Sequence, residues 1–102
     1  LGLKRLQDTC EFLGPLYSIE ARDGVETICR KVNDAYELEV SGFFGPKTYT
    51  VNLWQRKPHT ELMSIYSDIS TKEDLADTLG YLAFRCQNLS ARIQVEREDL
   101  SR

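Results

Sequence analysis

The chain has 102 residues, 41% of them hydrophobic and 28% charged, with a formal net charge of −3. That is enough for one domain with its own core, and the charge has the wrong sign for a general nucleic-acid binder, which usually carries a basic footprint. No apolar run approaches the length of a membrane span, and the first residues do not read as a signal peptide.

Gly2 to Leu13 repeats Leu3, Leu6, Cys10 and Leu13 at helical spacing, with Lys4, Arg5, Asp8 and Glu11 between them. This predicts an amphipathic helix ended by Gly14-Pro15. In Leu16 to Arg22, Tyr17, Ile19 and Ala21 alternate with Ser18 and Glu20, as in a short strand. Pro15 at a first helical position would equally suit a helix; the strand is preferred.

From Asp23 the spacing of Val25, Ile28, Cys29 and Val32, with Asp23 and Glu26 placed as a capping box, predicts a second helix. The rival reading makes Asp23-Gly24 a hairpin turn with Ile19 facing Ile28. It scatters Val25, Cys29 and Val32 over both faces of a strand, so the helix is preferred.

Ala35 to Ile69 reads as three antiparallel strands, because period-two alternation holds through it. Tyr36, Leu38 and Val40 form the first apolar set, Tyr49, Val51 and Leu53 the second, and Met63, Ile65 and Ile69 the third. If both linkers close hairpins, Val40 faces Tyr49, Leu38 faces Val51 and Tyr36 faces Leu53, while Leu53 faces Met63 and Val51 faces Ile65. The other face is then polar, except that Trp54 falls between Ala35 and Leu62, and Tyr66 joins them as an apolar exception.

After Ile69, Ser70 and Glu73 stand in capping-box spacing. Leu75, Leu79, Leu82, Ala83, Cys86, Leu89 and Ile93 then make one stripe, predicting a long helix from Thr71 to about Gln94. Asn88-Leu89-Ser90 matches the glycosylation triplet but falls inside this helix and is read as chance. Residues 1–95 form one domain in this reading and 96–102 a charged tail. The opening on Leu1 rather than methionine leads us to expect a longer or trimmed parent.

The fold expected is α+β: an antiparallel three- to four-stranded meander with helices mainly on one face, an N-terminal helix and a long C-terminal helix. Three helices do not fit on one side of so small a sheet, since strands lie ~4.8 Å apart and helices 8–10 Å apart. Apolar surface is therefore left over for another chain. In outline the chain resembles small α+β interaction domains such as the RWD-like modules, although no family is matched at motif level. A likeness of fold does not fix function.

Motifs for catalysis or cofactors are missing. His59 is the only histidine, and neither a nucleophile nor a carboxylate is spaced to work with it. Cys10, Cys29 and Cys86 are odd in number and lack Cys-x-x-Cys spacing. They are read as buried free thiols, which places the chain in a reducing compartment, cytoplasmic or nuclear. With one His they do not make a zinc site. Gly42-Phe43-Phe44-Gly45 lacks the phosphate-loop pattern, and Glu37 and Glu39 are read as solvated strand residues. No catalytic residue, metal or cofactor is assigned.

The residues singled out for partner binding are Phe43, Phe44, Trp54, Arg56, Lys57 and Leu62. In the Phe43-Phe44 pair one ring either tucks under the sheet edge or docks into a partner. The function expected is a non-enzymatic protein–protein interaction or assembly domain, self-associating as a homodimer. A nucleic-acid-binding accessory domain using Lys47, Arg56 and Lys57 beside Tyr49 and Trp54 in region 47–59 is the first alternative. A small-molecule-binding regulatory domain of an enzyme, with its pocket between sheet and helices, is the second.

Overall fold

The computed structural model describes residues 2–45 and 47–100, with side chains described through residue 88. Helix α1 (Gly2–Leu13) leads into strands β1 (Ser18–Arg22), β2 (Val25–Lys31), β3 (Tyr36–Ser41), β4 (Tyr49–Gln55) and β5 (Glu61–Ile69), and helix α2 (Lys72–Leu100) follows. The strands form one five-stranded sheet in the order β1-β2-β3-β4-β5, each neighbour antiparallel. The fold is thus α+β, built on a meander with a helix at either end.

The expected helix from Asp23 is strand β2, and the meander gains a strand accordingly. Asp23-Gly24 is a two-residue hairpin turn, with Arg22 paired to Val25 and Ile19 to Ile28. Both turn residues have positive φ, 53° at Asp23 and 79° at Gly24, as the turn matched to strand twist requires. The helical spacing misled because both faces of β2 hold buried residues. Ile28 enters the core, while Thr27 and Cys29 are buried on the opposite face. Two helices remain instead of three, which removes the crowding.

Register places one cross-sheet row, Ile19, Ile28, Val40, Val51 and Tyr66, on the helix side. Leu38 and Leu53 stand beside it. Leu6 from α1 and Leu75, Leu79, Leu82, Ala83 and Cys86 from α2 complete this core. Both helices lie over this face, α1 against β1 and β2, α2 against β3 and β4. Helix α2 begins one residue later than expected: the Thr71 hydroxyl accepts from the Asp74 amide at 3.1 Å, so Thr71 and not Ser70 is the cap. At 29 residues the helix is about 43 Å long. The side chains of the expected stripe residues Leu89 and Ile93, of the triplet beyond Asn88 and of the charged tail lie outside those described.

The β3–β4 hairpin is offset by two residues from the expected register, pairing Val40 with Val51 and Leu38 with Leu53. An even offset keeps each residue on its face and changes only its neighbour. In β5 the consequence is larger. Trp54 pairs with Leu62, as expected, and Gln55 with Glu61, but an extra residue at Met63 shifts the register so that Leu53 meets Ser64 and Val51 meets Tyr66. Ile65 is thereby turned to the open face, and Tyr66, expected outside, packs on the core. A second irregularity before Ile69 turns that residue back inward. Each bulge adds one residue, and one residue is what inverts a strand's faces.

Candidate interaction surface

Among the described residues no helix covers the sheet face opposite the core, and that face covers itself with its own side chains. Glu37 is its hub. The carboxylate forms an ion pair with Arg22 at 3.1 Å and accepts from Arg56 at 2.8 Å, and its side chain is only 12% exposed. The Arg56 guanidinium lies 4.8 Å over the Trp54 ring. Glu39, one pair further along, accepts from Asn52 at 3.1 Å and from the Trp54 indole at 3.5 Å. Trp54 is half-buried, its ring held between an arginine plane and a carboxylate.

Burial also explains the thiols. Cys29 lies between Ser18 and Glu39 on this face, within hydrogen-bond reach of Thr27 at 3.4 Å. Desolvation pushes its pKa up, although the Thr27 contact and the nearby Arg22 charge pull the other way. Cys10 and Cys86 are raised for the same first reason. All three are free.

Beyond Trp54 the polar network stops. Leu62 pairs with Trp54 and is 39% exposed; Ile65, on the same face, is 59% exposed. Met63 is the extra residue between them, left without a partner in the ladder and 47% exposed. Trp54, Leu62, Met63 and Ile65 thus form an apolar strip along the last strand. Of these, alternation in the sequence singled out Trp54 and Leu62. Met63 and Ile65 were expected inside, because a bulge leaves no mark in a two-residue period.

The other expected binding residues are dispersed. Phe43 is a core side chain, 4% exposed, packed edge-on against Tyr49 at 5.7 Å. Phe44 beside it is 57% exposed. Arg5 clasps this loop from α1, donating to the carbonyls of Gly42 at 2.6 Å and Lys47 at 3.0 Å and lying 4.2 Å over the Tyr49 ring. Lys57 is exposed beyond the end of β4. Of the residues expected to make a basic-aromatic surface, the structure brings Arg56 onto the Trp54 ring, while Tyr49 is buried and the Arg56 charge is paired with Glu37. His59 is exposed and pairs with Glu61 at 3.4 Å.

Open hollows also lie among the described residues. One of about 480 Å³ is lined by Leu3, Gly24, Val25, Glu26 and Phe44. The other, about 270 Å³, lies where Lys4, Arg5, Asp8, Thr9, Tyr49 and Lys72 meet. In the second, Arg5 is committed to the loop carbonyls and Lys72 lies 5.3 Å over the Phe12 ring. Among the described residues no group of His, Cys, Asp and Glu could hold a metal ion, and no helix is long and apolar enough to cross a membrane.

Fold and surface together define an α+β domain whose sheet packs helices on one face and carries, on the other, a self-paired polar network bordered by an apolar strip. No protein-family model, curated protein or solved structure matches the chain.

Proposed function

We propose that this domain is a non-enzymatic protein-interaction or assembly module that docks a protein partner on the strip formed by Trp54, Leu62, Met63 and Ile65. One observation carries the reading: Leu62, Met63 and Ile65 are exposed on the strand paired with Trp54, whose half-buried ring is stacked on an Arg56 held by Glu37. Tryptophan and arginine are the residues most enriched at binding hot spots. A ring held in its rotamer before binding loses less entropy on docking. Burial of the apolar side chains supplies the affinity, and the exposed Lys57 at the rim steers encounter. The nucleic-acid reading has less support, because the Arg56 charge is already met by Glu37.

A photo-crosslinking residue placed at position 65 tests the reading, with a second placed at position 20 on the far edge of the sheet. Position 65 should yield discrete protein adducts that disappear when Trp54→Ala is added, and position 20 should not. Equal adducts from both positions, or none from 65, would sink it.

A further inference from the structure

We infer that the hollow of about 270 Å³ between α1, the start of β4 and the start of α2 is a binding site for a phosphoryl group, free or carried on a small molecule. It lies on the helix side of the sheet, and the inference is independent of the apolar strip on the opposite face.

The first ground is a pair of buried hydroxyls. The buried residues of α1 are Leu6 and Thr9, so a threonine stands at a core-facing position that ordinarily takes an apolar side chain. Its hydroxyl and that of Tyr49 belong to residues only 1% and 5% exposed, and the two oxygens lie 3.4 Å apart. That is longer than an ordinary hydroxyl–hydroxyl bond, and neither has another partner among the described residues. Two hydroxyls bonded to each other use one proton and leave the other to donate. Both residues line the hollow, so an acceptor for that proton reaches it from there.

The second ground is charge. Lys4, Arg5 and Lys72 line the hollow against one carboxylate, Asp8, in a chain whose net charge is −3. On the open face Arg22 and Arg56 are met by Glu37. Arg5, part-buried as they are, is held instead by two neutral carbonyls, those of Gly42 and Lys47, and no described carboxylate pairs with it. Those bonds occupy two of the five N–H donors of the guanidinium and fix it 4.2 Å over the Tyr49 ring. A charge partly withdrawn from water acts through a lower effective dielectric than a solvated one. The surplus of positive charge suits a phosphoryl dianion better than a singly charged carboxylate. Its oxygens can accept the hydroxyl proton, a guanidinium N–H and a lysine ammonium together. The volume falls below that of sites for drug-sized ligands, which limits the occupant to the ion or a small ester. Lys4 and Lys72 are exposed, so binding is weak, of roughly millimolar order.

Titration of the full chain with inorganic phosphate at constant ionic strength, followed by amide proton–nitrogen correlation spectra, tests this. Saturable shifts should appear at Lys4, Arg5, Thr9, Tyr49 and Lys72 and not at Lys31, an exposed lysine of β2. Thr9→Val removes the hydroxyl and nearly keeps the shape. It should raise the dissociation constant about tenfold while circular dichroism shows an unchanged fold, whereas attraction to the lysines alone would not respond to it. Tyr49→Phe, which removes the other hydroxyl, gives the same test should Thr9→Val disturb the packing. Lys4→Gln and Lys72→Gln should each weaken binding about threefold, and Lys31→Gln should not. Acetate should bind at least about tenfold more weakly than phosphate. Glycerol phosphate binding more tightly than the free ion assigns the site to an ester, and equal binding assigns it to the ion. A titration without saturable shifts overturns the inference. So does binding that survives the loss of either hydroxyl, a Lys31→Gln variant weakened as much as Lys4→Gln, or acetate bound as tightly as phosphate.

Discussion

Glu37 shows how much one side chain can organise. It sits in a strand where alternation points it to solvent, yet two arginines from opposite sides of the sheet converge on one of its oxygens. Charge-assisted hydrogen bonds of this kind, partly withdrawn from water, are worth more than exposed ion pairs. Replacing Glu37 with Gln should cost about 1–3 kcal/mol, measured by urea unfolding, because the Arg56 guanidinium then loses its counter-charge and Arg22 keeps only Glu20, 3.3 Å away. It should also free Arg56 from Trp54 and reduce crosslinking from position 65. An unchanged unfolding midpoint would mean that the arginines are satisfied by water alone. The sequence shows Glu37 and both arginines but not that they meet, since Arg22 and Glu37 lie on strands that are not neighbours in the sheet.

Strand β5 is where one inserted residue decides the character of a surface. Without the bulge at Met63, Ile65 would face the helices and Tyr66 the open side; with it they exchange places. A comparison of alanine variants checks this inversion. Tyr66→Ala should destabilise by ~1–3 kcal/mol, as truncating a side chain partly packed on the core does. Ile65→Ala should lie within about 0.5 kcal/mol of wild type, as exposed positions generally do. The reverse order would restore the unbulged register and dissolve the strip. In β2 the balance went the other way: the local signal was legible. Asp-Gly between two alternating runs is a strong hairpin marker, and Val25, Thr27, Ile28 and Val32 are β-branched, a class enriched in strands. The helical spacing outweighed it only because burial was assumed on a single face.

Over the whole molecule the three thiols report on how completely the chain is packed. Each is raised from the ordinary thiol value of 9.0, with desolvation the first cause. A raised folded pKa stabilises the fold fully below the unfolded value and loses that contribution as pH climbs through the folded one. The melting temperature should therefore decline above about pH 9, as unfolding releases thiolates, and should show no thiol-dependent change between pH 7 and 8. Native alkylation followed by mass spectrometry should label Cys10 ahead of Cys29 and Cys86, which are buried. Labelling of Cys29 at the rate of Cys10 would show that the open face does not close over it.

Composition and periodicity by themselves determined the α+β class, the antiparallel meander, both terminal helices and the faces of β3 and β4, because those properties depend on the order of apolar residues along a few turns of chain. The apolar exception at Trp54 and Leu62 was visible for the same reason. Only the tertiary structure decided that β2 is a strand buried on both faces, that Phe43 fills the core while Phe44 does not, and that Met63 and Ile65 join the strip. Those outcomes depend on which strands become neighbours and on where a ladder takes up an extra residue. Pairing energies between distant segments settle such choices, and no local pattern carries them.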